Sequence, residues 1–319
     1  MGIVACTAGM FPEHLERLKS AGHEIRLFDG AAHDSLGPIL ATADALICLL
    51  TDPIGSELLD QAPRLQIVAN VAVGYENIDI AAAEGKGIVV TNTPDVLTES
   101  TADHTFALLL SAARRIAEAD VAVRNGEFPS WGLQQPLTGI DVYGKTLGIV
   151  GMGRIGAAVA RRGHHGFDMP VLYHSRTPKP GIESELDAVR ASFEKLLEQS
   201  DFVCVHVPLT PETWHMFDAD VFAQMKPTAI LVNAARGAVL DEAALVDALR
   251  VRAIAGVGLD VFEQEPSVHP DLLGLREHVV LTPHLGSATE ETRVAMGDIA
   301  VRNVLAVLSS QPPLTPVTV

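Results

Sequence analysis

The chain of 319 residues is long enough for two domains that each bury a core of their own. Its composition, with 48% hydrophobic and 20% charged residues, is typical of a soluble globular protein. The net charge of −17 argues against nucleic acid and anionic membranes as partners, because phosphate groups would be repelled.

Targeting segments, membrane spans and metal sites are not predicted. No apolar run approaches the ~18 residues of a membrane helix, and the start, MGIVACTAGM, lacks the basic residues of a signal peptide. The three cysteines, Cys6, Cys48 and Cys204, each lie in an apolar run, and no pair has metal-ligand spacing. We therefore expect buried, reduced thiols in a cytoplasmic protein that binds no metal.

The first hundred residues alternate short apolar runs with helical segments. Helices are predicted at PEHLERLKSAG (12–22) and GSELLDQAP (55–63), and strands at GIVACTA (2–8), EIRLFD (24–29), ADALICLL (43–50), LQIVANVAV (65–73) and GIVVTN (87–92). Buried parallel strands have such continuous apolar runs. Their alternation with helices predicts a parallel sheet with helices on its faces.

One long amphipathic helix is predicted from Thr98, over TESTADHTFALLLSAARRIAEADVAVRNG, and Gly126 ends it. A second α/β unit begins at KTLGIVGMGRIG (145–156), and its later strands are predicted at DFVCVHVPLT, AILVNAARG, AGVGLDVF and VVLTPHLG. A last helix, TEETRVAMGDIAVRNVLAVLSS, precedes a tail that is too rich in proline for a helix. The pattern predicts two doubly wound parallel-sheet α/β domains, with residues 99–286 inserted into a domain of residues 1–98 and 287–319.

The run Gly151-Met-Gly153-Arg-Ile-Gly156 lies between a predicted strand and a predicted helix, which is the setting of a dinucleotide-binding loop. Gly151 permits the tight turn, Gly153 lets the backbone approach a pyrophosphate, and Gly156 lets helix and strand pack closely. Arg154 and Ile155 begin the helix, whose first N–H groups favour an anion. The inserted domain is therefore predicted to be a Rossmann cofactor domain, and the alternative is an ordinary strand–helix turn.

The residues Ser175, Arg176 and Thr177 stand at the end of the next strand, where an NAD site has an acidic residue that binds the ribose 2′-OH. An acid would repel a 2′-phosphate, whereas two neutral donors and a planar cation suit one. The segment predicts NADP(H) as the preferred cofactor. The alternative is NAD(H), with Arg176 as a solvated surface residue.

Polar residues interrupt the ends of three later strands. Arg236 follows the strand in VNAARG, Glu265 precedes Pro266 in GLDVFEQEP, and His284 ends VVLTPH. Ligands bind at such carboxyl ends. An arginine can clamp a 2-oxo acid, a histidine can protonate its carbonyl oxygen, and a neighbouring carboxylate favours the imidazolium. Each residue alone is more often structural or solvated, but together, behind a dinucleotide motif, they predict a catalytic site.

The motifs GMGRIG, NAARG, GLDVFEQEP and TPHLGSAT, in this order, resemble those of the D-isomer-specific 2-hydroxyacid dehydrogenases over essentially the whole chain. The resemblance implies that Arg236 binds the substrate carboxylate and carbonyl. It also implies that His284 is the acid/base with Glu265 as its partner, and that Asp260 contacts the nicotinamide carboxamide. Further cofactor contacts are implied for Thr101, Val207, Pro208, Ala234, His284 and Gly286.

The resemblance also implies a flavodoxin-like substrate-binding role for the first domain. Backbone N–H groups of Val73 and Gly74, in VAVGYENID, would hold the substrate carboxylate, and the alternative for this loop is an ordinary turn. Leu50 and Thr51 would form the edge of the substrate pocket, with Leu50 close to the small side group of the substrate.

Within the family, ICLLTDPI, TPDVLTESTADHTFALLL and YHSRTPKP are similar to glyoxylate/hydroxypyruvate reductases, whose NADPH-preferring members also lack the acid. The residue of those enzymes that matches Trp131 reaches the neighbouring subunit's active site, which implies a homodimer. The alternative is that Trp131 packs on its own loop. His104 is a departure, since STADH replaces TTAEL, and we predict a helix-face residue rather than a ligand.

The activity that the resemblance implies is reduction of glyoxylate or hydroxypyruvate to glycolate or D-glycerate, by hydride transfer from NADPH to C2. One alternative is another D-2-hydroxyacid dehydrogenase, acting on D-lactate, phosphoglycerate or another 2-keto acid, although phosphoglycerate would require basic residues near Val73. A second alternative is a dinucleotide-sensing protein of co-repressor type. Such proteins keep these motifs and usually add extensions, which we do not expect here.

Overall fold

A computed structural model describes residues 1–7, 9–28, 36–128 and 130–318. Ala8 and Asp29, at the ends of two predicted strands, and Pro129 lie outside the described residues. The chain forms two compact units. Unit 1 comprises Met1–Leu97 and Thr289–Val319, and unit 2 comprises Thr98–Ala288. The sequence-based domain bounds, with 99–286 as the insertion, lie close to this division.

The elements of both units alternate along the chain. The strands are β1 (Ile3–Cys6), β2 (Glu24–Leu27), β3 (Ala45–Cys48), β4 (Ile67–Asn70), β5 (Val89–Thr91), β6 (Leu147–Val150), β7 (Val171–His174), β8 (Val189–Arg190), β9 (Phe202–Val205), β10 (Ile230–Asn233), β11 (Gly256–Leu259), β12 (Val279–Leu281) and β13 (Pro316–Val317). The α-helices are α1 (Pro12–Ser20), α2 (Leu36–Leu40), α3 (Ser56–Asp60), α4 (Ile80–Gly85), α5 (Thr98–Ala113), α6 (Ile116–Arg124), α7 (Arg154–Phe167), α8 (Pro180–Leu186), α9 (Phe193–Gln199), α10 (Ala219–Gln224), α11 (Glu242–Arg250), α12 (Pro270–Gly274) and α13 (Glu290–Leu308).

Unit 1 contains a sheet in the order β13-β5-β4-β3-β1-β2, in which β1 to β5 are parallel. Strands β3 and β4 are buried along their whole length, which explains their continuous apolar sequence. The tail ends as the antiparallel edge strand β13, beside β5. Asn303 of α13 fixes it, because its side-chain oxygen accepts the N–H groups of Leu314 and Thr315 at 2.8 and 3.2 Å.

Unit 2 contains a parallel sheet in the order β12-β11-β10-β9-β6-β7-β8. Alternate residues of its strands face two separate apolar cores. On β10, Ile230 and Val232 belong to the core that α5 and α7 cover, whereas Leu231 belongs to the core on the opposite face. Chain order reverses at β6, which lies between β7 and β9, and such a switch point is where open α/β sheets bind ligands.

The predicted architecture of two doubly wound parallel-sheet α/β domains is confirmed. The single long helix predicted from Thr98 to Gly126 is wrong, because α5 ends at Ala113 and α6 begins at Ile116. Distant residues donate hydrogen bonds to the last carbonyl groups of α5, which would otherwise accept the N–H groups of the next helical turn. His278 Nδ1 donates to the carbonyl of Ala112 at 2.8 Å, and Ile140 N–H donates to that of Ala113 at 2.8 Å.

None of the helices in the described residues has both the length and the hydropathy to cross a membrane. The same residues contain no group of three His, Cys, Asp or Glu side chains that could hold a metal ion. The three cysteines are buried and unpaired, as predicted. Burial raises the pKa of the Cys204 thiol to about 12, so this thiol stays protonated.

Candidate active site

The three glycines of the Gly151–Gly156 loop differ in the space around the position where a side chain would begin. Gly151 has a φ of +100°, and a Cβ atom on it would lie 2.6 Å from the carbonyl of His206. A Cβ atom on Gly156 would lie 2.3 Å from the carbonyl oxygen of Gly151. Around the Cβ position of Gly153, by contrast, there is nothing within 4 Å. Packing of the chain on itself therefore explains two of the glycines, and the third leaves room for a ligand to approach the backbone.

The N-terminus of α7 suits a phosphate group. Gly153 is its N-cap and supplies no side-chain cap, and the first turn has no acidic residue. Among the described residues, the N–H groups of Ile155 and Gly156 have no acceptor. These groups, with the positive end of the helix dipole, fit the pyrophosphate of a dinucleotide.

The segment that follows β7 lies beside this loop, because Gly151 N–H donates to the carbonyl of His174 at 2.9 Å. Ser175 is half-buried, whereas Arg176 and Thr177 are exposed. The Arg176 guanidinium has no hydrogen-bond or ion-pair partner among the described residues. Arg190 of β8 anchors the backbone of this segment, since its Nη2 donates to the carbonyls of Ser175 and Arg176 at 3.0 and 3.1 Å. Sequence reasoning missed Arg190, because β8 is too short to show a pattern.

The predicted pair of His284 and Glu265 is brought together. His284 Nδ1 lies 2.9 Å from Glu265 Oε2, and the other carboxylate oxygen accepts the N–H of Phe262 at 3.1 Å. The carboxylate can only accept, so Nδ1 carries the proton. Nε2 then has no partner among the described residues and is the nitrogen available to a ligand. His284 has a φ of +56°, and its N–H is bonded to the carbonyl of Asp260 at 2.8 Å.

Arg236 is half-buried directly after β10, on a turn that Asn233 holds. The Asn233 side chain donates to the carbonyl of Arg236 at 2.9 Å and accepts the N–H of Ala235 at 3.0 Å. A Cβ atom on Gly237 would lie only 1.9 Å from the backbone of Phe262. The turn that carries Arg236 therefore packs tightly against the segment that leads to Glu265. Asn233 and Gly237 were not predicted, although their place at a strand end was a usable signal.

Asp260 directly follows β11 and is only 1% exposed. Its carboxylate accepts hydrogen bonds from four groups around it. The donors are Thr282 Oγ1 (2.7 Å), Leu285 N–H (2.7 Å), Gly286 N–H (2.8 Å) and His104 Nε2 (3.1 Å). Burial raises the pKa of Asp260, but these hydrogen bonds and the charge of His104 outweigh it and hold the pKa below its ordinary value. His104 lies on α5 as predicted, but the sequence did not connect its ring with this carboxylate.

The other predicted cofactor residues lie on the same edge of the unit 2 sheet. Thr101 is buried on the first turn of α5, and Gly286 is close enough that a Cβ atom on it would lie 3.2 Å from Thr101 Cγ2. Val207 and Pro208 follow β9, and Ala234 follows β10. The carboxyl edge of one sheet thus collects the glycine loop, the Ser175 segment, Arg236, Asp260 and His284.

In unit 1 the loop after β4 presents two unused N–H groups. Asn92 Nδ2 donates to the carbonyl of Val73 at 2.7 Å, and Asn70 Nδ2 donates to that of Gly74 at 2.8 Å. Within the described part of the chain, the N–H groups of Val73 and Gly74 find no acceptor. Two asparagines therefore fix a backbone turn whose donors remain available to an anion.

Leu50 and Thr51 follow β3, in a second loop of unit 1 that Asn77 holds. Asn77 Nδ2 donates to the carbonyls of Leu49 and Asp52 at 3.0 and 2.9 Å. Leu50 is half-buried and Thr51 is exposed. The roles of Asn70, Asn77 and Asn92 were not predicted, although Asn70 ends β4 and Asn92 directly follows β5.

Trp131 is 83% exposed, so it makes little contact with its own loop. Phe128 and Leu133, on either side, are 80% and 92% exposed. Trp131 nevertheless lines a shallow cavity with residues of its own loop, among them Leu133 and Leu137.

Comparison with known proteins decides the family. Residues 106–286, more than half of the chain, match the model of the D-isomer specific 2-hydroxyacid dehydrogenase NAD binding domain. The chain belongs to the D-isomer-specific 2-hydroxyacid dehydrogenases. The resemblance, the enzyme class and a nicotinamide dinucleotide as cofactor, all predicted from the sequence, are confirmed.

Relatives of this dehydrogenase cover most or all of its length. A glyoxylate reductase of Thermococcus onnurineus (strain NA1) is 54% identical over 275 residues, 85% of this chain and 82% of the relative. A solved protein of Thermus thermophilus is 43% identical with a TM-score of 0.93, covering 99% of this chain and 100% of that one. An NADPH-dependent glyoxylate/hydroxypyruvate reductase of Sinorhizobium meliloti, in complex with NADP and malonate, is 38% identical with a TM-score of 0.88 and covers 99% and 97%.

Proposed function

We propose that this dehydrogenase reduces glyoxylate and hydroxypyruvate to glycolate and D-glycerate, and that it prefers NADPH to NADH. The observation that carries the proposal is the 2.9 Å hydrogen bond between His284 and Glu265, whose segment packs against the turn of Arg236. The 54% identity to a protein named glyoxylate reductase supports the choice of substrate.

His284 is the proton donor in this proposal. When bound, the nicotinamide cofactor supplies the hydride that adds to the carbonyl carbon of the substrate. His284 Nε2–H donates a proton to the carbonyl oxygen as negative charge develops there. Glu265 accepts from Nδ1, which fixes the ring and stabilises the imidazolium before the proton leaves. In the reverse oxidation, Nε2 of the neutral ring accepts the hydroxyl proton.

In this proposal each unit supplies groups that suit a carboxylate. The Arg236 guanidinium, a permanent planar cation, pairs with the carboxylate and polarises the carbonyl. In unit 1, the unused N–H groups of Val73 and Gly74 suit a carboxylate, and Leu50 lies in the loop that Asn77 holds. Unit 2 is thus assigned to the cofactor and, through Arg236, to the substrate, whose carboxylate meets a local positive charge despite the overall charge of −17.

Ser175, Arg176 and Thr177 bind the 2′-phosphate of NADPH in this proposal. None of the three residues is acidic, and the charge of Arg176 favours a phosphate. Hydrogen bonds and, to a smaller extent, the same charge lower the pKa of the exposed Glu212. Arg190 Nη2 occupies the carbonyl groups of Ser175 and Arg176. The Sinorhizobium meliloti relative, whose structure contains NADP, supports the same cofactor.

The double variant Ser175→Asp and Arg176→Leu is expected to shift the cofactor preference from NADPH toward NADH. Loss of a charge-assisted hydrogen bond of about 1.5–3 kcal/mol corresponds to a fall of roughly 10–100-fold in kcat/KM for NADPH. The carboxylate adds a partner for the 2′-OH of NADH. Steady-state kinetics with both cofactors measures the ratio. Arg161→Leu, which removes a surface arginine paired with Glu185, is the matched control and should leave the ratio unchanged. If the ratio of kcat/KM for NADPH to that for NADH were unchanged in the double variant, Arg176 would be a solvated surface residue with no part in cofactor binding.

A homodimer accounts for the exposed apolar side chains of α6 and the segment after it. Helix α6 has no buried residue, and its Ile116 and Val123 are 54% and 53% exposed. Phe128 and Trp131 extend this surface. Large exposed apolar side chains are frequent at interfaces, and we assign to Trp131 a place at the active site of the partner subunit. Sedimentation should give twice the chain mass of 33.9 kDa.

A panel of 2-oxo acids tests the proposed function. Purified protein is assayed with NADPH and with NADH against glyoxylate, hydroxypyruvate, pyruvate and 3-phosphohydroxypyruvate. The highest kcat/KM is expected for glyoxylate or hydroxypyruvate with NADPH. A higher value for pyruvate or the phosphorylated acid would assign a sister activity. Binding of NADPH without turnover of any acid would favour a dinucleotide-sensing protein.

A further inference from the structure

The side chains of His104, Thr282 and Asp260 form a closed hydrogen-bonded group, which we call the Asp260 cluster. His104 Nε2 lies 3.1 Å from Asp260 Oδ1 and 3.0 Å from Thr282 Oγ1, and Thr282 Oγ1 lies 2.7 Å from Asp260 Oδ1. The carboxylate is 1% exposed and the His104 side chain is 20% exposed. The cluster therefore joins a buried acid to a histidine that solvent still reaches.

The hydrogen bonds determine which ring nitrogen carries a proton. An ionised carboxylate can only accept, so the Thr282 hydroxyl donates to Asp260. The hydroxyl oxygen then accepts from His104 Nε2, which must carry a hydrogen that it shares with Asp260. His104 Nδ1 has no partner within the described residues. The ring can thus gain or lose a proton at Nδ1 while Nε2 keeps its bonds to the cluster.

Five charged or titratable groups on α5 and on the elements packed around it have partners other than His104. Arg162 of α7 pairs with Glu99 and Asp103, Arg115 pairs with Glu118, His278 donates to the carbonyl of Ala112, Arg236 donates to that of Ala235, and His284 pairs with Glu265. The Asp260 carboxylate is hydrogen-bonded to the His104 ring. His284 is the second titratable ring at this edge of the sheet, so a test must separate the two histidines.

We propose that His104 is a positioning residue that sets the net charge beside the nicotinamide ring, and so makes the relative affinity for oxidised and reduced cofactor depend on pH. The proposal rests on the proposed function and on the contact between Asp260 and the nicotinamide carboxamide that the family resemblance implies. With neutral His104 the Asp260 cluster carries one negative charge, which favours the cationic oxidised ring. With protonated His104 the cluster is neutral, and the preference for the cationic ring weakens.

The test measures cofactor binding rather than turnover. Dissociation constants for NADP⁺ and NADPH are determined by fluorescence titration at pH 5.5 and pH 8.5, in a His284→Gln background that removes the second titrating ring. The 2′-phosphate is common to both cofactors and cancels in the ratio of the two constants. With His104 present, the preference for NADP⁺ relative to NADPH should rise about tenfold from the lower to the higher pH.

Two further variants separate charge from structure. His104→Leu, which installs the leucine of the TTAEL pattern, should abolish the pH dependence of the ratio. His104→Gln keeps an N–H donor for Asp260 without a titrating group, so it should restore cofactor affinity but not the pH dependence. A ratio that varies with pH equally in all three proteins, or in none, overturns the proposal. If NADPH binds and the ratio is constant, only this inference fails, whereas absence of NADPH binding defeats the proposed function as well.

Discussion

Replacing His284 by alanine is expected to lower kcat for glyoxylate reduction by about 10²–10⁴-fold, the range that positioned general acids contribute. His284 Nδ1 is held at 2.9 Å by Glu265, and Nε2 is the nitrogen left for the substrate oxygen. Without the imidazole, the alkoxide that develops at C2 has no positioned proton donor. The measurement is the steady-state rate of NADPH consumption with glyoxylate.

The loss should lie in the chemical step, so the dissociation constant for NADPH in the variant should stay within a few-fold of the wild-type value. His165→Ala is the matched control, because His165 is exposed on α7 and contacts His164 rather than the site. The control should keep the wild-type rate. A His284→Ala enzyme that retains kcat within a few-fold would contradict the proton-transfer role.

Replacing Arg236 by lysine is expected to lower kcat/KM for glyoxylate by about 10²-fold, even though the charge is kept. The guanidinium presents two parallel donors to a carboxylate, whereas an ammonium offers a point charge. Losing part of a charge-assisted pair costs about 2–3 kcal/mol, and each 1.36 kcal/mol is a factor of ten. Arg236 is also anchored by Nη1, which donates to the carbonyl of Ala235 at 2.6 Å, and lysine lacks a second group for that bond.

The division of this loss between kcat and KM shows what Arg236 does. A rise in KM alone would mean that the guanidinium binds the carboxylate equally in the ground and transition states, whereas a fall in kcat would mean that it polarises the carbonyl. Arg161→Lys on α7 serves as the control, because Arg161 forms a surface ion pair with Glu185. Wild-type kcat/KM in Arg236→Lys would remove Arg236 from the proposed site.

The parallel strands and the residues at their ends could be predicted from the sequence because both follow from local rules. Buried strands such as β3 and β10 are continuous apolar runs, so their ends are visible in the sequence. A polar residue at such an end projects to the carboxyl edge of the sheet, which is why the position of Arg236 and His284 at this edge could be predicted. The glycine loop was predictable for the same reason, since strand, turn and helix are contiguous in the chain.

Features that depend on distant residues were not predictable. The break between α5 and α6 arises because His278 and Ile140 bind the carbonyls of Ala112 and Ala113. His104 is 156 residues from Asp260 in the chain, and its single polar side chain on an apolar helix carries no sign of the partner. Arg190 belongs to a strand of two residues, which shows no periodicity. In each case the decisive contact is formed only by the tertiary fold.

The configuration of the product tests the central claim most directly. Hydroxypyruvate is reduced with NADPH by the purified enzyme, and the glycerate is resolved by chiral chromatography. We expect D-glycerate, formed in equal amount to the NADPH consumed. L-glycerate, or no consumption of NADPH with either hydroxypyruvate or glyoxylate, would contradict the proposed function.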